Sequence, residues 1–137
     1  MNSPDNAANN QAGAVLFTIN LMPLAKFYER VLGMHVRRTD HDHVVLENGA
    51  FRLVVHQIPE AYAKNISISI PPTVHSQSAI KLSFLVDSIP HARQTAAALG
   101  GVVYGPDKEW QYMESTFCDG YDPDGNVFQL FEKLTQS

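Results

Sequence analysis

The sequence predicts an α+β domain made of two βαβββ modules, and three observations carry that prediction. Short runs in which apolar residues alternate with period two flank two segments with helical spacing. The second strand-and-helix segment repeats the first at a displacement of 67 residues, with no gap. Turn-forming residues then divide the chain after each helix into further short alternating runs.

The repeat sets VLFTINLMPLAKFYERVLGMHV (15–36) over LSFLVDSIPHARQTAAALGGVV (82–103), matching Phe17 with Phe84, Pro23 with Pro90, Gly33 with Gly100 and Val36 with Val103. Each copy opens with a strand whose apolar residues are expected to bury: Val15, Phe17 and Ile19 in the first, and Ile80, Leu82, Phe84 and Val86 in the second. Asn20, and Asp87 or Ser88, can cap the helices that come next. Pro23 and Pro90 fall in first turns, where no intrahelical donor is lost, and Gly33 and Gly100 suit left-handed C-terminal caps. The first helix is expected to bury Leu24, Phe27, Val31 and Leu32.

After helix one the period returns to two through HVRRTD, HVVLENG and FRLVVHQI (35–58), a three-stranded meander separated by DHD and NGA turns. Module two repeats the order with strands at 101–105, 112–120 (YMESTFCDG) and 126–133 (NVFQLFEK), its last hairpin closed by DGYDPDG. Module one thus covers 14–57 and module two 79–134. Residues 58–78 form a linker within the domain, whose one alternating piece reads as a short strand or an extended crossing. Residues 1–13 are small and polar and read as a disordered tail.

At 137 residues the chain is one domain's worth, and 45% apolar with 18% charged residues is ordinary for a globular fold. A net charge of -4 without long runs gives no footprint for nucleic acid or an anionic membrane. The single cysteine, Cys118, excludes an internal disulfide, and neither a long apolar run nor a signal-peptide pattern is present, so a reducing cytoplasm is expected.

FYERVLGM (27–34), the second strand-and-helix copy and DPDGNVFQLFE (122–132) together resemble the vicinal oxygen chelate superfamily, the group of glyoxalases, bleomycin-resistance proteins and extradiol dioxygenases. The resemblance runs from residue 14 to 133. It implies that each module's sheet curls into a half-barrel with a ligand cavity on its concave side and helices outside, and that the protein is a homodimer. Metal enzymes of the superfamily bind a divalent ion through His or Glu from the first and fourth strands of each module. Carried over by position, the resemblance places Ala14, Val54, Lys81 and Gln129 there. Ala and Val carry no donor, a protonated Lys repels a cation and Gln is weak beside a carboxylate, so no metal cofactor is expected.

Strand parity adds neighbours to that cavity: Thr18 shares a face with Ala14, Arg52 and His56 with Val54, and Ser83 with Lys81. Arg52, His56, Lys81 and Gln129 are expected to converge, giving two cations and an imidazole suited to a carboxylate, phosphate or enolate. Lys81 could equally snorkel to solvent, and His56 could be an ordinary hydrogen-bonded histidine. His41-Asp42-His43 reads as a solvated hairpin tip with no obvious third ligand, and Cys118 as a small core residue. Trp110, Tyr112 and Glu114 lie on a segment that could close over the cavity, with Glu114 a candidate acid or base. Two classes are therefore open: a metal-independent binder of a small anionic molecule, or a glyoxalase- or dioxygenase-type enzyme, metal-dependent or using Lys81 and His56. A third is an interaction module whose cavity is filled by its own side chains.

Overall fold

The computed structural model describes residues 12–135. Its first module is β1 (Ala12–Thr18), α1 (Leu21–Val31), β2 (His35–Thr39), β3 (His43–Asn48) and β4 (Phe51–Gln57). The expected tail lies outside the described residues up to residue 11. At Ala12 and Gly13 that expectation is corrected, because both already pair with Phe51 and Arg52 of β4. The linker carries one helical turn, α2 (Glu60–Ala63), where no strand forms. Module two is β5 (Leu82–Leu85), α3 (Ile89–Ala98), β6 (Val102–Val103), β7 (Trp110–Tyr112), β8 (Ser115–Tyr121) and β9 (Val127–Lys133).

The strands form two sheets of matching topology. The first has the order β1-β4-β3-β2 and the second β5-β9-β8-β6, with β7 also on β8. In each, the module's first strand runs parallel to its last, and the remaining pairs are antiparallel. The segment expected as one strand from Tyr112 is instead a hairpin that turns at Met113 and Glu114, with φ of 47° and 59°. Neither is the Gly or Asn that usually marks such a turn, so no local signal announces it.

Helix α1 buries Leu21, Leu24, Ala25, Phe27, Tyr28 and Val31, and Leu32 beyond it. Full burial of a side chain such as Phe27 contributes on the order of 1.5–3 kcal/mol. Helix α3 is more weakly amphipathic and buries Ile89, Ala92 and Ala96. Ser88 caps α3 by accepting the His91 N–H at 3.1 Å. Asn20 makes no such side-chain bond. Each module's last strand also supplies an acceptor: Gln57 Oε1 takes the Leu21 N–H at 3.2 Å and Glu132 Oε1 the Ile89 N–H at 2.7 Å.

The internal repeat holds, but not without a gap. Asn20 and Ser88 are both N-caps and Leu21 and Ile89 both begin helices, a displacement of 68; the left-handed glycines Gly33 (φ 63°) and Gly100 (φ 87°) remain 67 apart. Helix α1 is one residue longer, 11 against 10. The first strand is therefore out of phase with the expectation. Ala14, Leu16 and Thr18 face the helices, whereas Val15 and Phe17 are 51% and 63% exposed on the other side. Both faces of β1 are apolar, so alternation alone could not choose between them. Parallel pairing with β4 decides, because Leu53 and Val55 there are fully buried.

The modules are locked by the turn between β8 and β9. Tyr28 donates its hydroxyl to Asp122 Oδ2 at 2.7 Å, and Thr18 donates to Asp124 Oδ2 at 2.7 Å. Asp122 Oδ1 accepts the N–H groups of Asp124 and Asn126 at 2.9 and 3.0 Å. The tyrosine of FYERVLGM and the first aspartate of DPDGN are thus one buried network. The linker crosses above it, where His75 N–H donates to the Gly125 carbonyl at 2.9 Å. A side chain at Gly125 (φ 91°) would collide with the Thr73 carbonyl, which lies 2.0 Å from its Cβ position.

Candidate functional site

The face of each sheet turned away from the helices carries the candidate residues other than Thr18, and it is built in rows because aligned residues on paired strands share a side. On sheet two one row runs Ser83, Gln129, Asp119, from β5 through β9 to β8. The next runs Leu85, Phe131, Phe117, Trp110. The aromatic members stack: Phe131 on Phe117 with centroids 5.5 Å apart and Phe117 on Trp110 at 5.6 Å, at interplanar angles of 25° and 13°. A polar row therefore lies directly beside a stacked aromatic one.

Lys81, just ahead of β5, closes the polar row. Its Nζ lies 3.1 Å from Asp119 Oδ2 and 6.0 Å from the centre of the Trp110 ring. Ser83 donates its hydroxyl to Gln129 Oε1 at 2.8 Å. Asp119 Oδ1 is shut off from solvent and has no hydrogen-bond partner among the described residues, an unusual condition for a carboxylate oxygen. Beside these groups a recess of about 430 Å³ is lined by His75, Ser78, Lys81, Tyr104, Asp119 and Val127. Its volume is in the range of small-molecule sites.

Sheet one holds a separate set. Arg52 donates to Glu47 directly opposite on β3 at 3.1 Å, and Glu47 also meets Arg37 at 3.5 Å. His56 lies opposite His43, their rings stacked at 5.7 Å, with Asp42 alongside and Phe17 5.9 Å away. Of the residues expected to converge, Arg52 and His56 lie on sheet one and Lys81 and Gln129 on sheet two, and the partners each has here are within its own sheet. Thr18 is corrected: it is 1% exposed, on the helix side, and its hydroxyl is committed to Asp124. The two expected cations are each paired with a carboxylate, Lys81 with Asp119 and Arg52 with Glu47.

The divalent ion that the resemblance implies does not fit these donors. With β1 in its observed phase, Gly13 and not Ala14 is the open-face residue aligned with Arg52. A Cβ added there would lie 2.6 Å from the Arg52 carbonyl oxygen, so the position is closed to a ligating side chain. Val54 has no donor, Lys81 is a cation held by Asp119, and the amide oxygen of Gln129 is engaged by Ser83.

Asp119, Phe117 and Glu47 were not among the residues the sequence pointed to. The signal was hairpin register: pairing β8 with β9 sets Asp119 opposite Gln129, and pairing β3 with β4 sets Glu47 opposite Arg52. Trp110 and Tyr112 do reach the open face through Phe117, but Glu114 occupies the tip of the β7–β8 turn. Cys118 is fully buried with its Sγ 3.2 Å from the Tyr104 carbonyl, and burial pushes its thiol above the ordinary range despite nearby Arg93.

Comparison with known proteins agrees with this architecture. The family model for the Glyoxalase-like domain matches residues 14–131. No curated protein sequence matches the chain. Among solved structures, a glyoxalase/bleomycin resistance protein/dioxygenase family enzyme from Burkholderia phytofirmans PsJN is similar at 20% identity and a TM-score of 0.64, over 89% of this chain and 97% of that one. A glyoxalase/bleomycin resistance protein from Albidiferax ferrireducens T118 is similar at 16% identity and 0.63, over 89% and 97%. A bleomycin resistance determinant encoded on the transposon Tn5 is similar at 20% and 0.57, over 90% and 98%.

Proposed function

Because the chain belongs to the glyoxalase-like domain family of the vicinal oxygen chelate superfamily, we propose that it binds a small organic anion with a flat apolar body on the open face of sheet two, without the family's usual metal centre. The observation that carries this reading is the adjacency of the two rows. Trp110, Phe117 and Phe131 offer π-faces for the body, while Lys81, Ser83 and Gln129 offer a cation and hydrogen-bonding groups for its charged end. Asp119 tempers the charge of Lys81 in the free protein, so an anion must compete with it for the ammonium. This favours recognition by shape and stacking together with charge over recognition by charge alone.

The second sheet surface is supplied by another copy of the chain. Val15, Phe17, Ile80, Leu85 and Tyr112 are exposed in one chain, an apolar surface that a homodimer would cover while enclosing the ligand. Catalysis by Lys81 with His56 is disfavoured within one chain, since each sits in its own group with its own carboxylate.

A thermal-shift screen of small aromatic carboxylates tests the reading. A bound member should raise the melting temperature with concentration, and Lys81→Met should weaken its binding about tenfold or more. Lys81→Met binding as tightly as the unaltered protein would remove the anion site.

A further inference from the structure

The β2–β3 hairpin tip carries a second cluster that the ligand site on sheet two does not use. Asp42, at the tip, His43, opening β3, and His56, near the end of β4, offer one ligand atom each, all within 4.8 Å of one another. Asp42 Oδ1 lies 2.7 Å from His43 Nδ1, and Asp42 Oδ2 lies 3.8 Å from His56 Nε2. The third donor that sequence alone did not reveal is His56, brought across by the β3–β4 register.

We propose that Asp42, His43 and His56 form a binding site for a first-row divalent transition-metal ion of the zinc class, with one coordination position left open. The partners of the outer nitrogens support it. His56 Nδ1 lies 2.9 Å from the Gln57 carbonyl, which can only accept, so this nitrogen carries the proton and Nε2 presents its lone pair toward Asp42. His43 Nε2 lies 3.3 Å from Asp40 Oδ2, so with an ion at Nδ1 the far N–H donates to a carboxylate. Backing of metal-bound imidazoles by carbonyl and carboxylate acceptors is how such ligands are ordinarily oriented. Asp40 is itself anchored by Arg38 at 2.5 Å.

Donor chemistry selects the ion. Two imidazoles and one carboxylate suit zinc and its neighbours, whereas calcium and magnesium favour oxygen donors. Bonds of about 2.0–2.1 Å in a tetrahedral site place donors roughly 3.3 Å apart, between the two separations found here. Three protein donors leave the fourth position to water or to an oxygen or nitrogen of a small ligand. The site is distinct from the family's position: His56 lies two residues beyond Val54 on the same face of β4, about 7 Å further along the strand.

Cobalt(II) is the probe. Untagged full-length protein, stripped with a chelator and then titrated with Co²⁺, should bind one ion per chain with the visible bands of a low-coordinate nitrogen-and-oxygen site, and Zn²⁺ should displace it. His43→Ala, His56→Ala and Asp42→Asn should each weaken binding about tenfold or more, whereas His91→Ala, at an exposed histidine on α3, should not. Absence of Co²⁺ binding by the unaltered protein overturns the proposal whatever the variants do. So does undiminished binding by a folded His43→Ala/His56→Ala double variant.

Discussion

Tyr28 shows how much a single residue can carry. Its ring is buried in the core and its hydroxyl reaches Asp122 across the two modules. Tyr28→Phe keeps the ring and deletes a hydrogen bond to a charged group, so it should destabilise the fold by about 1.5–3 kcal/mol, read as a loss of several degrees in the thermal midpoint. Asp122 and Asp124 are both pushed above the usual carboxylate range, chiefly by burial, against the lowering effect of their hydrogen bonds. A raised carboxyl in the fold holds its proton more tightly than in the unfolded chain. Its contribution to stability is full below the ordinary Asp range and is lost as pH rises through the raised value. The stability advantage of the unaltered protein over Asp122→Asn should therefore be larger near pH 4 than at pH 7.5 in denaturant melts, and a gap that widens with pH would contradict this origin. The sequence showed these residues as motif letters; their bonding partners are far apart in the chain and became visible only in the fold.

At the scale of elements, the helices, their terminal glycines and the β3–β4 hairpin were legible, because caps, periodicity and an Asn-Gly turn act locally. The facing of β1 was not. Val15 and Phe17 alternate as well as Ala14 and Leu16 do, and the choice between them rests on the nonlocal pairing with β4. That phase error displaced the first ligand position from Gly13 to Ala14 and drew Thr18 into the expected cavity. The β7–β8 turn escaped notice because Met113 and Glu114 adopt positive φ without the residues that favour it. A left-handed residue other than glycine costs roughly 1–2 kcal/mol. Replacing the pair by Asn-Gly should raise stability by about 1 kcal/mol or more in chemical denaturation, and a neutral or destabilising effect would mean that the two side chains compensate through contacts of their own.

For the whole molecule, two sheets joined through Tyr28, Thr18 and the DPDGN turn leave an apolar open surface to be covered. Sedimentation equilibrium should give a dimer, and Phe17→Asp, at the exposed phenylalanine of β1, should shift it toward monomer. A monomeric unaltered protein would leave the site open to solvent. The family and the modular fold were readable from a repeat and two motifs, but the site was only half so: Lys81, Ser83, Gln129 and Trp110 were named, while Asp119 and the Phe117 that links Trp110 to Phe131 emerged from strand register. The central claim is that this paired polar and aromatic surface is where a ligand binds. Trp110 is the chain's only tryptophan and forms one end of the row, so its fluorescence reports on that surface directly. Titration with an aromatic carboxylate that raises the melting temperature should quench or shift this emission saturably, with the same dissociation constant as the thermal effect and a weaker one in Lys81→Met. A ligand that stabilises the protein while leaving Trp110 emission unchanged would place the binding surface elsewhere.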